Sequence, residues 1–215
     1  MTLPSDKSSD RSSHNSTGDL PTSSATAASG GSAREHRPTG IIAKLRGLQL
    51  TEKIWFNGLW FQSTWFICVL GQDRLLPVAL VMIALHFALV PAPQTELRQL
   101  APIVTLGVVV DALLSAAGVF DFGATLIPLW LCVLWIAFAT TLNRALRILG
   151  QRPWLSALVG GVGVPFNYAA GATLGAVTLP QDPWVTMSVL VAVWAALLPG
   201  LYAIARINQE GCRQP

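Results

Sequence analysis

Hydrophobic residues are distributed unevenly along the chain. The first 40 residues are rich in Ser, Thr, Gly, Ala and Asp and hold almost no large apolar side chains. Such a segment cannot bury enough surface to offset its chain entropy, so we expect residues 1–40 to form a disordered cytoplasmic tail. The tail also contains no apolar run of the kind that forms the core of a signal peptide.

From residue 54 onward, long apolar runs alternate with short polar breaks. Each run holds roughly 17 to 24 residues, which at about 1.5 Å per residue matches a hydrocarbon core of about 30 Å. The pattern predicts an all-α fold, a polytopic membrane bundle of about six transmembrane helices. The predicted spans are residues 54–70, 75–92, 100–118, 125–142, 154–177 and 184–205.

Two polar segments flank the predicted spans. Residues 41–53 read IIAKLRGLQLTEK and form a basic juxtamembrane segment. Ile41, Leu45 and Leu48 share one helical face, which suits a short helix lying on the membrane surface; the alternative is a plain basic flank. Residues 206–215 are predicted to be a polar cytoplasmic tail.

The distribution of basic residues predicts the orientation in the membrane. The segments on one side of the predicted spans hold Lys44, Arg46, Lys53, Arg98, Arg144, Arg147, Arg152, Arg206 and Arg213. The loops on the other side of the predicted spans hold a single basic residue, Arg74. Cytoplasmic segments carry the excess of Lys and Arg, so both termini of this multi-pass membrane protein are expected in the cytoplasm.

Composition agrees with this class and excludes others. Hydrophobic residues make up 52% of the chain, charged residues 12%, and the mean hydropathy is +0.52. A soluble domain carries about 25% charged residues. The net charge of +3 comes from the segments between spans, so no nucleic-acid binding is expected. The three cysteines form no CxxC or Cys/His cluster, and neither a metal nor another cofactor is expected.

The fifth predicted span is the most unusual stretch and reads WLSALVGGVGVPFNYAAGATLGAV. Gly163, Asn167, Gly171 and Gly175 recur every fourth residue, which predicts a stripe for close helix packing with Asn167 bonded across the interface. Pro165 has no backbone N–H and predicts a kink or a helix break. The span is then either a kinked packing helix or a broken helix that lines a polar site.

Asp111, near the middle of the third predicted span, is the side chain that costs the most free energy to place in the membrane. A carboxylate there is penalised by about 2.5–3.5 kcal/mol, and no Lys or Arg lies inside a span to neutralise it. The candidate partners are His86, Gln62, Asn167 and Tyr168, and depth along the helices favours the last three. Asp111 is either a protonated group that joins helices or a carboxylate that binds a proton or substrate.

The first predicted span is rich in aromatic residues. One interpretation is that its polar and aromatic side chains line a groove for a lipid or isoprenoid; the other is a lipid-facing anchor. No Walker, GxSxG or nucleotide-binding motif occurs, which favours a protein without catalytic activity. The candidate binding residues are Asn57, Gln62, His86, Asp111, Asn167 and Tyr168.

Several motifs in this order resemble a family of short bacterial inner-membrane proteins known only as a domain of unknown function. They are WFNGLWFQSTWF, TELRQL, GVVVDALLSAAGVF, IPLWLCVLWIAFATTLNRALRIL and GVPFNYAAGATLGA, together with the His of the second span. The resemblance covers about residues 52–205. It implies a multi-span membrane protein whose genes often lie near those for cyclopropane-fatty-acid-synthase-like enzymes and flavin amine oxidases. The matching positions are Asn57, Gln62, His86, Glu96, Asp111, Trp130, Asn143 and Tyr168.

Three functional hypotheses follow. The first is a membrane protein that binds a lipid-like molecule and supports membrane lipid modification. The second is a small proton-coupled transporter or channel subunit that uses Asp111. The third is a non-catalytic assembly partner, held to a second copy or to another membrane protein by the glycine stripe of the fifth span.

Overall fold

The fold is built from helices. A computed structural model describes residues 40–211, and no strand occurs among them, so the all-α prediction is confirmed for this range. The predicted disordered tail lies outside the described residues apart from Gly40, as do residues 212–215. The helices are α1 (Ile41–Gly47), α2 (Ile54–Gly71), α3 (Leu76–Leu89), α4 (Pro93–Ala116), α5 (Leu129–Asn143), α6 (Pro153–Thr173) and α7 (Pro183–Gly211).

Helices α2 to α7 coincide with the six apolar runs of the sequence, but several helix ends differ from the predicted span ends. Helix α4 begins at Pro93, ahead of the predicted start at residue 100, because proline is well placed in the first helical turn. Helix α7 continues through residues 206–211, where the sequence was expected to form a tail. The Arg, Gln and Glu residues there favour helix, and no helix-breaking residue occurs before Gly211.

Two of these helices, α4 and α7, are long and apolar enough to cross a membrane. Helices α3 and α5 are apolar but hold only 14 and 15 residues. At about 1.5 Å per residue they are about 21 to 23 Å long, shorter than a typical hydrocarbon core of about 30 Å.

Helix α5 lies at the centre of the bundle, in contact with α2, α3 and α4. The Gly-rich helix α6 lies against α7 instead, in the most extensive helix pair of the structure. Their backbones approach at Gly160, where an added Cβ would lie 2.3 Å from the carbonyl oxygen of Trp194. Gly161 packs beside it, and an added Cβ there would lie 3.3 Å from Cβ of Ala195. Only glycine permits this approach at Gly160.

The predicted glycine stripe does not form this contact with α7. An added Cβ at Gly163 would meet only Val159 of its own helix within 4 Å, and one at Gly171 would meet only Val177. Spacing by four residues defines a stripe but does not say which of several stripes meets the neighbour. Gly160 and Gly161, which precede the predicted stripe, form the actual contact with α7.

Gly175 has a different role, because it ends α6. It has φ of +78°, and the amide of Ala176 donates to the carbonyl of Gly171 at 2.9 Å. Helix α4 ends in the same way at Gly118, with the Val119 amide 2.9 Å from the Leu114 carbonyl. Both are glycine-terminated Schellman ends, in which a left-handed residue satisfies the last carbonyls of the helix.

Prolines inside the helices do not interrupt them. Helix α6 runs through Pro165, and α7 runs through Pro199. The helix break predicted at Pro165 does not occur, because one missing N–H leaves the flanking helical hydrogen bonds in place. The alternative, a kink at Pro165, stays a prediction. The tight α6–α7 contact at Gly160 and Gly161, one turn earlier, also holds the helix at this point.

The connections meet at two opposite ends of the bundle. At one end, Asp121 and Thr178 form an antiparallel bridge that joins the turns after α4 and α6, and Gln72 Nε2 donates to the Gly175 carbonyl at 3.1 Å. At the other end, Tyr202 donates to the Leu146 carbonyl at 2.7 Å. We call the first end the turn end and the second the basic end, because all the Lys and Arg residues of residues 40–211 except Arg74 belong to the latter.

Candidate functional site

Asp111 is fully buried and has two hydrogen-bond donors. The indole N–H of Trp135 donates to Oδ2 at 2.7 Å, and the hydroxyl of Tyr168 donates to Oδ1 at 2.7 Å. The exposed fraction of Asp111 is 0%. Among the described residues no Lys, Arg or His side chain forms an ion pair with it. The carboxyl group is thus held by uncharged donors from α5 and α6.

A glycine on α4, Gly107, makes room for this arrangement because it has no side chain. Gly107 lies four residues before Asp111, on the same helical face. The ring of Trp135 lies against Gly107 so closely that an added Cβ would be 2.2 Å from its Cζ3 atom. The indole therefore fits over the bare turn of α4 and reaches Asp111 with its N–H in the next turn.

Stacked aromatic rings continue outward from Asp111. Trp135 stacks on Trp194 of α7 with ring centroids 5.5 Å apart and planes 10° apart. Tyr168 stacks on Phe120 at 4.5 Å, also with planes 10° apart. Such pairs contribute about 0.5–1.5 kcal/mol each beyond the area that they bury. The two residues that hold Asp111 are thus themselves fixed by a second ring.

The rings of Trp135, Tyr168 and Trp194 form part of the wall of an open, largely apolar cavity. The cavity has a volume of about 230 Å³ and lies among α2, α5, α6 and α7. Asp111 is behind the wall. For comparison, an apolar protein cavity of about 150 Å³ takes up benzene. The aromatic residues that line it are Phe61, Trp65, Phe122, Trp130, Trp135, Phe138, Tyr168 and Trp194.

A second polar cluster lies at the basic end. His86 Nε2 lies 2.9 Å from Glu96 Oε1, and Arg144 Nη2 donates to Glu96 Oε2 at 2.5 Å. Arg144 also pairs with Glu52 and donates to the Thr51 carbonyl at 3.3 Å. A carboxylate only accepts, so His86 donates from Nε2. We call His86, Glu96, Arg144 and Glu52 the ion network; it joins α3, α4, the end of α5 and the segment before α2.

The ion network is partly enclosed. Burial raises the pKa of Glu96, but the hydrogen bonds and charges of His86 and Arg144 outweigh it and lower the pKa below its usual 4.5. Burial lowers the pKa of Arg144, whereas Glu96 and Glu52 raise it, with a net rise. A cleft of about 180 Å³ beside the network is lined by Glu52, Glu96, Gln99, Asn143 and Arg144. The network forms a charged link between helix ends.

The structure brings only some of the candidate binding residues together. Of the four predicted partners of Asp111, only Tyr168 forms a hydrogen bond with it. Gln62 is exposed on α2, and His86 is bonded to Glu96. Asn167 does not bond across a helix interface as expected; its Nδ2 donates to Gly163 O within α6 at 2.7 Å, and Asn167 lines the cavity.

The first predicted span supplies part of the cavity wall through residues on one face. Phe61 and Trp65 line the cavity, whereas Gln62 and Phe66 are exposed. Asn57 is buried in the first turn of α2 but lines neither cavity nor cleft. The residues of α2 that line the cavity thus share one helical face, whereas the residues predicted to line a groove lie on two faces.

Sequence reasoning missed two groups of residues. The sequence does not pair Trp135 with Asp111; the available signal is Gly107, which lies on the same face of α4 and leaves room for a large side chain. Glu96 and Arg144 fall in separate predicted loops, although both lie within a few residues of helix ends on the same predicted side. In the described range no group of three His, Cys, Asp or Glu side chains is placed to bind a metal.

Comparison with known proteins identifies a family. The family model described as "Protein of unknown function (DUF2878)" matches residues 54–200, more than half of the chain. The resemblance inferred from the sequence motifs, to a family of unknown function, is confirmed. No curated protein and no solved structure matches the chain. The matched range contains Asp111, Trp135, Tyr168 and Trp194.

Proposed function

The chain belongs to the DUF2878 family, and we propose that it is a six-span protein of the bacterial inner membrane that binds a lipid-like molecule in its aromatic cavity. This binding would support membrane lipid modification. The observation that carries the proposal is the 230 Å³ apolar cavity, whose wall is fixed by the hydrogen bonds of Trp135 and Tyr168 to Asp111.

The outer surface of the helices supports the membrane assignment. Large apolar side chains are 64% to 83% exposed on five helices: Val81 on α3, Leu113 on α4, Leu129 on α5, Phe166 on α6 and Trp184 on α7. Soluble monomers rarely expose contiguous apolar patches larger than a few hundred Å². In a bilayer these side chains would face acyl chains. The two shorter helices, α3 and α5, would reach the interfaces through the turns that flank them.

Charge at the two ends supports the orientation. The basic end holds Arg46, Arg98, Arg147 and Arg206 in addition to the ion network, and it would be cytoplasmic. The turn end holds Asp73, Arg74, Asp121 and Asp182. Trp55 and Trp154 are exposed at helix starts of the basic end, and Trp184 at the turn end, as interfacial aromatic residues would be.

The character of the cavity favours an apolar ligand over a transported ion. Its lining is mainly aromatic and aliphatic, and Asp111 lies behind Trp135 and Tyr168 with both carboxyl oxygens in use. A proton pathway needs polar groups or water along its length, and the cavity wall offers few. A segment of acyl or isoprenoid chain matches both the chemistry and the open side of the cavity.

Filling the cavity tests the proposal. Gly163 lines the cavity, and an added Cβ would meet only Val159, at 3.9 Å, so a Gly163→Leu side chain has room to project into the space. Gly200→Leu on α7 is the matched control, because nothing lies within 4 Å of its Cβ position and it does not line the cavity. The full chain would be purified in mild detergent and its bound lipids measured by mass spectrometry.

We expect the wild type and Gly200→Leu to retain the same defined lipid species, and Gly163→Leu to lose it. Equal lipid retention in all three proteins would contradict lipid binding in this cavity. The link to lipid modification has a separate test: a deletion strain should show a changed whole-cell lipid profile, and an unchanged profile would count against that link.

A further inference from the structure

One polar side chain of the cavity wall is accessible and has unused hydrogen-bonding capacity. Asn167 is exposed on α6 and lines the cavity. Its Nδ2 donates to the Gly163 carbonyl at 2.7 Å, and no other side-chain hydrogen bond of Asn167 occurs among the described residues. A carbonyl only accepts, so the amide nitrogen of Asn167 must face Gly163, and the amide oxygen is left without a partner.

The positions one turn before and one turn after Asn167 have no side chain that would cover its amide. Gly163 and Gly171 lie on the same helical face as Asn167, and both also line the cavity. An added Cβ would meet only Val159 at Gly163, at 3.9 Å, and only Val177 at Gly171, at 3.8 Å. This part of the predicted stripe thus belongs to the cavity wall, with the amide of Asn167 at its centre.

In the proposed bilayer this amide lies within the hydrocarbon layer. Helix α6 spans Pro153–Thr173, so at about 1.5 Å per residue Asn167 lies about 21 Å from its first residue and about 9 Å from its last. Hydrocarbon offers an unpaired amide oxygen no hydrogen-bond donor, so a bound molecule that donates would be favoured.

The rest of the wall restricts what that donor can be. Among the described residues that line the cavity there is no charged side chain, so a charged head group would be buried without a partner. The donor must therefore be uncharged. A hydroxyl group meets this requirement, whereas an ether or ester oxygen only accepts and cannot pair with the amide oxygen. Apolar binding sites commonly contain a few such polar groups, which orient the ligand.

We infer that the cavity takes a long-chain alcohol, whose hydroxyl donates to the amide oxygen of Asn167 and whose apolar chain lies against the aromatic wall. The inference rests on the proposed lipid binding and adds the chemical class of the ligand.

Three brominated probes isolate the contribution of the hydroxyl. 8-Bromooctan-1-ol has the donor, its methyl ether 1-bromo-8-methoxyoctane keeps the oxygen without the donor, and 1-bromononane has a methyl group in place of the hydroxyl. Bromine quenches tryptophan fluorescence at short range, and Trp65, Trp130 and Trp135 line the cavity. Quenching would be titrated on the purified full chain in detergent. Only saturable quenching above that of Gly163→Leu, whose side chain fills the cavity, would be counted.

Asn167→Leu removes the amide and keeps a side chain of similar size, and leucine favours helix. Gln62→Leu is the matched control, because Gln62 is an exposed amide of α2 that does not line the cavity. Each probe partitions into detergent equally for all variants, so affinity ratios can be compared between them. We expect the ratio of alcohol to bromoalkane affinity to fall about three- to tenfold in Asn167→Leu, as the loss of one neutral hydrogen bond predicts. The ratio of ether to bromoalkane affinity should stay the same, and Gln62→Leu should change neither ratio.

Three results would overturn the inference while leaving lipid binding intact. One is the same alcohol-to-bromoalkane ratio in Asn167→Leu as in the wild type. Another is an equal fall in the ratios of the alcohol and the ether, which would assign the bond to the amide N–H. The third is a dimer by light scattering that dissociates in Asn167→Leu, which would assign the amide to a second copy. If no probe gives saturable quenching above the Gly163→Leu baseline, the proposed lipid binding fails, and the inference fails with it.

Discussion

Asp111 accepts hydrogen bonds from two uncharged donors, so its replacement should affect two other residues. Asp111→Leu would leave the Trp135 indole and the Tyr168 hydroxyl buried without an acceptor. We predict a loss of roughly 2–6 kcal/mol in unfolding free energy, at about 1–3 kcal/mol for each orphaned donor. Asp111→Asn keeps one acceptor oxygen and should cost less. Chemical denaturation in detergent measures both.

Tyr168→Phe provides the check on this prediction. It removes one donor, and in the Asp111→Leu background it should cost less than in the wild type, because the hydroxyl is then already unpaired. Strict additivity of the two changes would contradict the hydrogen bond between Asp111 and Tyr168.

Gly107 gives a second prediction for a single residue. In Gly107→Ala the new methyl group would overlap the Trp135 ring, so the indole must move away from Asp111. We predict a loss of about 1–3 kcal/mol in unfolding free energy, typical of overpacking. Gly58→Ala is the control, since nothing lies within 4 Å of its Cβ position and alanine favours helix. A Gly107→Ala protein as stable as Gly58→Ala would contradict the packing.

Single residues were only partly predictable from the sequence. Asp111 stands out because a carboxyl group in an apolar run is costly wherever the helix lies. Its partner Trp135 does not stand out, because aromatic residues are common in such helices and helix rotation is set by packing between elements. Tyr168 was found by depth along the helix, whereas Gln62, at a matching depth, points outward. The position of a residue along the helix axis can be predicted from the sequence, but the side of the helix that faces its neighbours cannot.

Among the helices, the α6–α7 pair depends on Gly160. We predict that Gly160→Ala lowers the thermal midpoint clearly, because its methyl group would press on the α7 backbone, which cannot move as a side-chain end can. Gly163→Ala, three residues later and free of contacts with α7, should be neutral or slightly stabilising. Equal effects of the two variants would contradict the helix contact described here.

Helix positions followed from the apolar runs, but several helix ends did not. The predicted spans leave Pro93 and Pro153 in loops, although both suit the first turn of a helix. The four-residue spacing predicts a packing role for Gly175, although its left-handed conformation ends α6. The same residue type serves both purposes, and only the three-dimensional arrangement distinguishes them.

At the scale of the whole molecule, the ion network ties together the basic end. Glu96→Gln would weaken the bonds to His86 and Arg144, and we predict a cost of about 1.5–3 kcal/mol in unfolding free energy near neutral pH. Arg98→Gln is the control, because Arg98 is exposed and makes no ion pair among the described residues. A Glu96→Gln protein as stable as Arg98→Gln would contradict a stabilising network.

The same variant has a signature in pH. The pKa of Glu96 is lower in the folded protein than its usual 4.5, so the unfolded chain binds the proton first as the pH falls. The stabilisation by Glu96 is therefore present above about pH 4.5 and is lost as the pH falls from there through the folded pKa. The stability difference between wild type and Glu96→Gln should shrink over this range in thermal melts from pH 7 to pH 3.

Membrane insertion and orientation determine what every exposed apolar side chain faces, and cysteine labelling in intact cells measures them most directly. In a background without native cysteines, Ala124→Cys would report on the turn end and Ile148→Cys on the basic end; both positions are exposed. We predict that a membrane-impermeant maleimide labels Ala124→Cys in intact cells and Ile148→Cys only after permeabilisation. Labelling of Ile148→Cys from outside, or equal labelling of both positions in intact cells, would contradict the six-span arrangement with its basic end in the cytoplasm.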